Sequence, residues 1–141
     1  MASTFEITDV SELGLIASHI KKSMNHSPVV IFDGEMGAGK TTLISELCSQ
    51  LKIEDDISSP TYSIVNTYLR PNQKDVYHFD FYRMADEMEA VQSGLDEMID
   101  SGNICLIEWA ERIMKLLPDS YVRVNISITG TNSRKIEITK V

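Results

Sequence analysis

Eight consecutive residues, Gly34-Glu35-Met36-Gly37-Ala38-Gly39-Lys40-Thr41, satisfy the pattern GxxxxGK[ST] in full. These residue types suit a polyphosphate. Phosphate oxygens need many converging donors. Main-chain N–H groups supply them only where the chain wraps closely, and glycine permits that approach. A helix starting where the loop ends adds its positive pole. Lys40 carries a cation suited to the β- and γ-phosphates, and the Thr41 hydroxyl suits Mg²⁺. The pattern therefore predicts ATP and magnesium at Gly34–Thr41.

Such a site also needs a carboxylate at the end of a neighbouring strand. Two candidates compete. Asp80 ends Val76-Tyr77-His78-Phe79, and Glu108 ends Ile104-Cys105-Leu106-Ile107. Glu108 better fits four apolar residues followed by an acid. Asp80 has more polar neighbours, with His78 two positions back on the same strand face. His78 is a candidate ligand, base or satisfied hydrogen-bonding histidine, and the last is favoured. In Ser59-Pro60-Thr61-Tyr62, Pro60 stiffens a loop, and Thr61 is a candidate contact for the γ-phosphate or metal. Arg83 and Arg134 are candidates to neutralise phosphate or stack on a base. Trp109 either packs inside or stands at the mouth of the site.

The elements that must position these residues follow from periodicity. Leu13, Ile16, Ala17, Ile20 and Met24 predict a helix over 11–24, capped by Asp9 or Ser11. Val29–Phe32 and Ile104–Ile107 are apolar without alternation, as suits strands buried on both faces. Leu43, Ile44, Leu47, Cys48 and Leu51 form the buried stripe of a helix after the glycine loop. Strands are expected at 63–69 and 76–82, short helices at 86–93 and 95–99, and a helix at 110–117 ended by Pro118. Alternation at 121–128 and 135–141, around Gly130-Thr131-Asn132, predicts a hairpin. The fold class is thus α/β, a three-layer α/β/α P-loop NTPase sandwich. Its sheet is expected to be mixed, mostly parallel, with an antiparallel edge hairpin.

The chain has 141 residues, 43% of them hydrophobic, which suits a single domain spanning 1–141. No segment is apolar for long enough to span a membrane, and the start lacks a secretory layout, so a cytoplasmic protein is expected. Cys48 and Cys105 belong to no CxxC cluster and are read as core residues. The net charge is −8, which disfavours DNA or RNA as a direct ligand.

Four motifs together, GEMGAGKTT at 34–42, SPTY at 59–62, YHFDFYR at 77–83 and IEW at 107–109, resemble the bacterial TsaE (YjeE) family in order and spacing. The resemblance runs from about residue 10 to the final strand. It implies an ATPase, weak alone, that is accessory to forming N6-threonylcarbamoyladenosine at position 37 of tRNAs reading ANN codons. The implied partners are TsaB and TsaD, and tRNA is met indirectly through their complex. Carried over by motif, Thr41 and Glu108 would ligate magnesium, and Lys40 would serve the phosphates. Asp80 would act near the γ-phosphate as water-orienting base or outer metal ligand. Gly37, Ala38, Gly39, Lys40, Thr41 and Thr42 would cradle the phosphates. Trp109 would lie near the nucleotide or the partner surface, Arg134 near the adenine, and Val10 would offer backbone contacts to the base.

Two other classes share the glycine loop. A small-molecule kinase usually carries an Arg-rich lid, whereas 84–102 is acidic. A GTP switch reads guanine with NKxD, which does not occur.

Overall fold

The structure is a computed structural model that describes residues 2–58, 60 and 64–141. Its described residues form one seven-stranded sheet. The strands are β1 (Ala2–Ile7), β2 (Val29–Asp33), β3 (Val65–Tyr68), β4 (Val76–Asp80), β5 (Ile104–Glu108), β6 (Val122–Ile128) and β7 (Arg134–Lys140), in the order β1-β7-β6-β2-β5-β4-β3. The helices are α1 (Leu13–Ser23), α2 (Lys40–Gln50), α3 (Glu87–Gln92) and α4 (Leu95–Ile99).

The central strands β2 and β5 are nearly all apolar because both of their faces are covered. Their side chains alternate between two cores. Val30, Phe32 and Leu106 pack with Ile16, Ile20, Leu43 and Leu47 under α1 and α2. Ile31, Cys105 and Ile107 pack with Phe79, Ala90, Leu95 and Ile99 under α3 and α4. This gives helix, sheet and helix layers. Both cysteines are free and buried.

Three expectations are corrected. The sheet is not mostly parallel: β6, β2, β5 and β4 run parallel, but β1–β7, β7–β6 and β4–β3 are antiparallel. The β6–β7 hairpin is not the edge, because β1 pairs outside it, with Phe5 opposite Ile136. The stretch 110–117 forms two 3₁₀ turns, Ala110–Arg112 and Met114–Leu116, rather than one helix. Trp109 enters it with φ 58°, and the Lys115 N–H donates to the Glu87 carboxylate (2.8 Å) beside α3, not to a helical carbonyl.

At the start of α1, Asp9 accepts from the Ser11 N–H (2.8 Å), and Glu12 accepts from the Thr8 and Asp9 N–H groups. This reciprocal cap sets Val10 in a 3₁₀ turn, 67% exposed beside the glycine loop.

Candidate functional site

The glycine loop joins β2 to α2, at the end of the sheet where the parallel strands finish. Gly34 has no room for a side chain, since a Cβ there would sit 2.8 Å from the Ile126 carbonyl oxygen of β6. Gly37 (φ 83°) and Gly39 (φ 107°) adopt left-handed backbone, and a Cβ on either would point into open space. The loop is therefore curled around a concavity and closes on the first turn of α2. A helix start presents N–H groups that its own carbonyls cannot satisfy. Lys40 bridges the loop, its ammonium donating to the Gly34 carbonyl oxygen at 2.5 Å and lying 3.8 Å from the centre of the Trp109 ring. Burial holds the Lys40 ammonium below the ordinary lysine range, while Glu108, Glu111, Asp80 and Asp33 pull the other way.

Asp80 and Glu108 are directly paired across β4 and β5, so the two acids chosen from sequence stand side by side. Both line a cleft with Gly37, Gly39, Lys40, Thr41, Thr42 and Trp109. Glu108 is 3% exposed. Its Oε1 accepts from the Thr41 hydroxyl (3.4 Å), and its Oε2 lies 2.7 Å from Nε2 of the fully buried His78. Asp80 is only half-buried and turns back on its own chain, accepting from the Tyr82 N–H at 3.0 Å. Burial raises the Asp80 carboxyl above the usual range. The Tyr82 N–H, His78 and Lys40 oppose that rise, and Glu108 adds to it.

The Thr41 hydroxyl and Glu108 Oε1 are hard oxygen donors. Neighbouring ligands of octahedral Mg²⁺ lie about 3 Å apart, given Mg–O distances of about 2.1 Å. A 3.4 Å separation thus fits that ion after a small contraction. No group of three or more His, Cys, Asp or Glu suited to a metal occurs among the described residues. A metal here would take its other ligands from phosphate and water.

On the far side of the loop, a cleft of about 510 Å³ runs between Val10, Gly37, Thr42, Asn132 and Arg134. Arg134 donates to the carbonyl oxygens of Ala38 (3.0 Å) and Ser133 (2.8 Å), tying the β6–β7 turn to the glycine loop. Arg83 is exposed. Ser59, Thr61 and Tyr62 lie outside the described residues.

The family model described as "Threonylcarbamoyl adenosine biosynthesis protein TsaE" matches residues 7–136. The chain belongs to the TsaE family. Its relatives include tRNA threonylcarbamoyladenosine biosynthesis proteins TsaE of Haemophilus influenzae (36% identical, covering 88% of this chain and 75% of the relative) and Bacillus subtilis (37%, 80% and 70%). The one from Treponema pallidum is 28% identical over 92% of this chain and 93% of its own length. The crystal structure of Bacillus subtilis YdiB superimposes with a TM-score of 0.78 at 27% identity, covering all of this chain and 86% of that one. The family match spans the glycine loop, both acids and Arg134, and ends at the inner half of β7.

Lys40, Thr41, Asp80, Glu108 and Trp109 thus meet in one cleft of this TsaE-family chain, with Val10 and Arg134 on the opposite flank of the loop. Sequence reasoning favoured His78 as a satisfied hydrogen-bonding histidine, as it is, but did not name Glu108 as its partner and did not single out Tyr68. The hydroxyl of Tyr68 lies 3.4 Å from His78 Nδ1. The available signal was the place of His78, two residues before the acid that ends β4, beside a strand that ends in a second acid.

Proposed function

We propose that this chain is a single-domain P-loop ATPase over 1–141. It would use Mg-ATP hydrolysis to assist the formation of N6-threonylcarbamoyladenosine on tRNA, acting on a complex of TsaB and TsaD. The observation that carries the ATPase reading is the line Thr41–Glu108–His78 at the mouth of the glycine loop. It sets a buried carboxylate beside the hydroxyl and lysine of the GxxxxGK[ST] motif. The tRNA part rests on membership of the TsaE family. The net charge of −8 suits a protein whose tRNA is held by its partners.

The residues divide the work. Gly37 and Gly39 let the main chain close on the phosphates. Lys40 exchanges the Gly34 carbonyl for phosphate oxygen, so a buried ammonium gains a stronger counter-charge. Magnesium, when bound, supplies charge neutralisation at the β- and γ-phosphates. Thr41 and Glu108 would hold it in place. Asp80 orients the attacking water, and the Trp109 ring lies against the Lys40 ammonium. Val10 and Arg134 flank the cleft for the base.

The test is ATP hydrolysis and calorimetry with the purified chain, alone and with TsaB–TsaD and tRNA. Lys40→Ala is expected to lose nucleotide binding and to stop repeated rounds of threonylcarbamoyl transfer. A wild-type chain that bound neither ATP nor ADP would end the ATPase reading. A phosphorylated small molecule accumulating in place of ADP and phosphate would make it a kinase.

A further inference from the structure

Glu108 has two oxygens with different duties. Oε1 faces the Thr41 hydroxyl at 3.4 Å, and Oε2 lies 2.7 Å from His78 Nε2. A carboxylate only accepts, so the proton of this bond sits on Nε2. The other ring nitrogen, Nδ1, faces the Tyr68 hydroxyl at 3.4 Å. The three side chains come from neighbouring strands β3, β4 and β5, and Tyr68, His78 and Glu108 are 4%, 0% and 3% exposed.

We infer that His78, backed by Tyr68, is a positioning residue that aims Oε1 of Glu108 at the metal beside Thr41. This rests on the proposed Mg-ATP site. The terminal torsion of a glutamate is broad and sets no orientation by itself. Fixing one oxygen on a buried imidazole fixes the other. Glu108 keeps the proton on Nε2, and the Tyr68 hydroxyl meets the opposite nitrogen and holds the ring in that orientation. A histidine retained only for packing would need a partner, but not one whose other oxygen faces the loop hydroxyl. Outer partners of metal ligands commonly matter by about 10- to 100-fold in metal affinity.

The probe is Mn²⁺ in the presence of ADP, followed by electron paramagnetic resonance, with ADP affinity in EDTA and melting temperature measured alongside. His78→Gln keeps an N–H long enough to reach Glu108, whereas His78→Asn does not. The Asn variant is expected to bind Mn²⁺ about 10- to 100-fold more weakly, with metal-free ADP affinity unchanged. The Gln variant is expected to recover most of that loss. In a Glu108→Gln background, His78→Asn is expected to add nothing. Equal losses in the Asn and Gln variants, or no loss in either, overturn the inference. If neither folds, Tyr68→Phe decides: a several-fold weaker Mn²⁺ affinity supports it, and wild-type affinity overturns it. A wild-type chain showing no metal-dependent ADP binding ends the Mg-ATP reading itself. Wild-type binding matched by His78→Asn ends only the positioning role.

Discussion

The ends of β4 and β5 carry acids in direct register, Asp80 and Glu108, yet the two ends are built differently. Glu108 closes a strand buried along its full length and is gripped from both sides, by His78 and by Thr41. Asp80 sits where the sheet opens, half-exposed, and its carboxylate is bonded only to the turn that follows, among the contacts described. A pinned oxygen suits a metal, whose ligands must meet a fixed geometry. A carboxylate held only by its own turn, among the contacts described, with burial raising its proton affinity, suits handling of water. On the proposed reading, two acids one strand apart would take separate duties from their surroundings rather than their chemistry.

The strongest test of that division is Glu108→Gln. Glutamine keeps the shape and an oxygen for His78, but loses the charge on the metal side. Hydrolysis is expected to fall about 10³-fold, about 4 kcal/mol of transition-state stabilisation, with metal-free ADP affinity retained. Asp80→Asn is expected to cost about 10²-fold, the scale of one general base, with Mg²⁺ half-saturation unchanged. Single-turnover assays across Mg²⁺ concentrations separate the two outcomes. If Asp80→Asn shifts Mg²⁺ half-saturation as far as Glu108→Gln does, the division of labour is wrong.

Much of this site was legible because its signals are local. The glycine loop is one contiguous motif, and the apolar runs of β2 and β5 announce strands with both faces covered. The acids that end β5 and β4 made Glu108 and Asp80 the candidates. What was not legible depends on register or on distant partners. β1 carries only Phe5 and Ile7 as large apolar residues, and it exists because β7 offers it an edge. The apolar spacing of 110–117 resembles a helix, but the backbone of Trp109 and the Glu87 carboxylate redirect it into 3₁₀ turns. The contact of His78 with Glu108 crosses between strands 30 residues apart, and no spacing within either strand encodes it. The expectation of a mostly parallel sheet failed for the same reason, since β1 and β3 are recruited antiparallel to the two edges.

The smallest effect expected concerns stability, and it separates the two strand ends without any nucleotide. Burial raises the Asp80 carboxyl above 3.8, so the folded chain holds that proton more tightly than the unfolded chain does. The group's contribution is therefore most favourable below about pH 3.8, and it is lost as pH rises through the folded value. At neutral pH the ionised Asp80 costs stability, which Asp80→Asn removes while its side-chain oxygen still accepts from the Tyr82 N–H. The variant should melt higher than wild type by about 2 °C at pH 7, and the gap should narrow as pH falls toward 4 and close below about pH 3.8. Asp33 is raised by burial in the same way, but it is common to both proteins and cancels in the difference. Glu108→Gln should show the opposite sign at pH 7, because it weakens a bond to a buried imidazole instead of relieving an exposed-side charge. Melting curves from pH 4 to 7 give the comparison. A pH-independent gap, or stabilisation by both substitutions, would show that Asp80 and Glu108 share one environment and that the asymmetry between the ends of β4 and β5 does no chemical sorting.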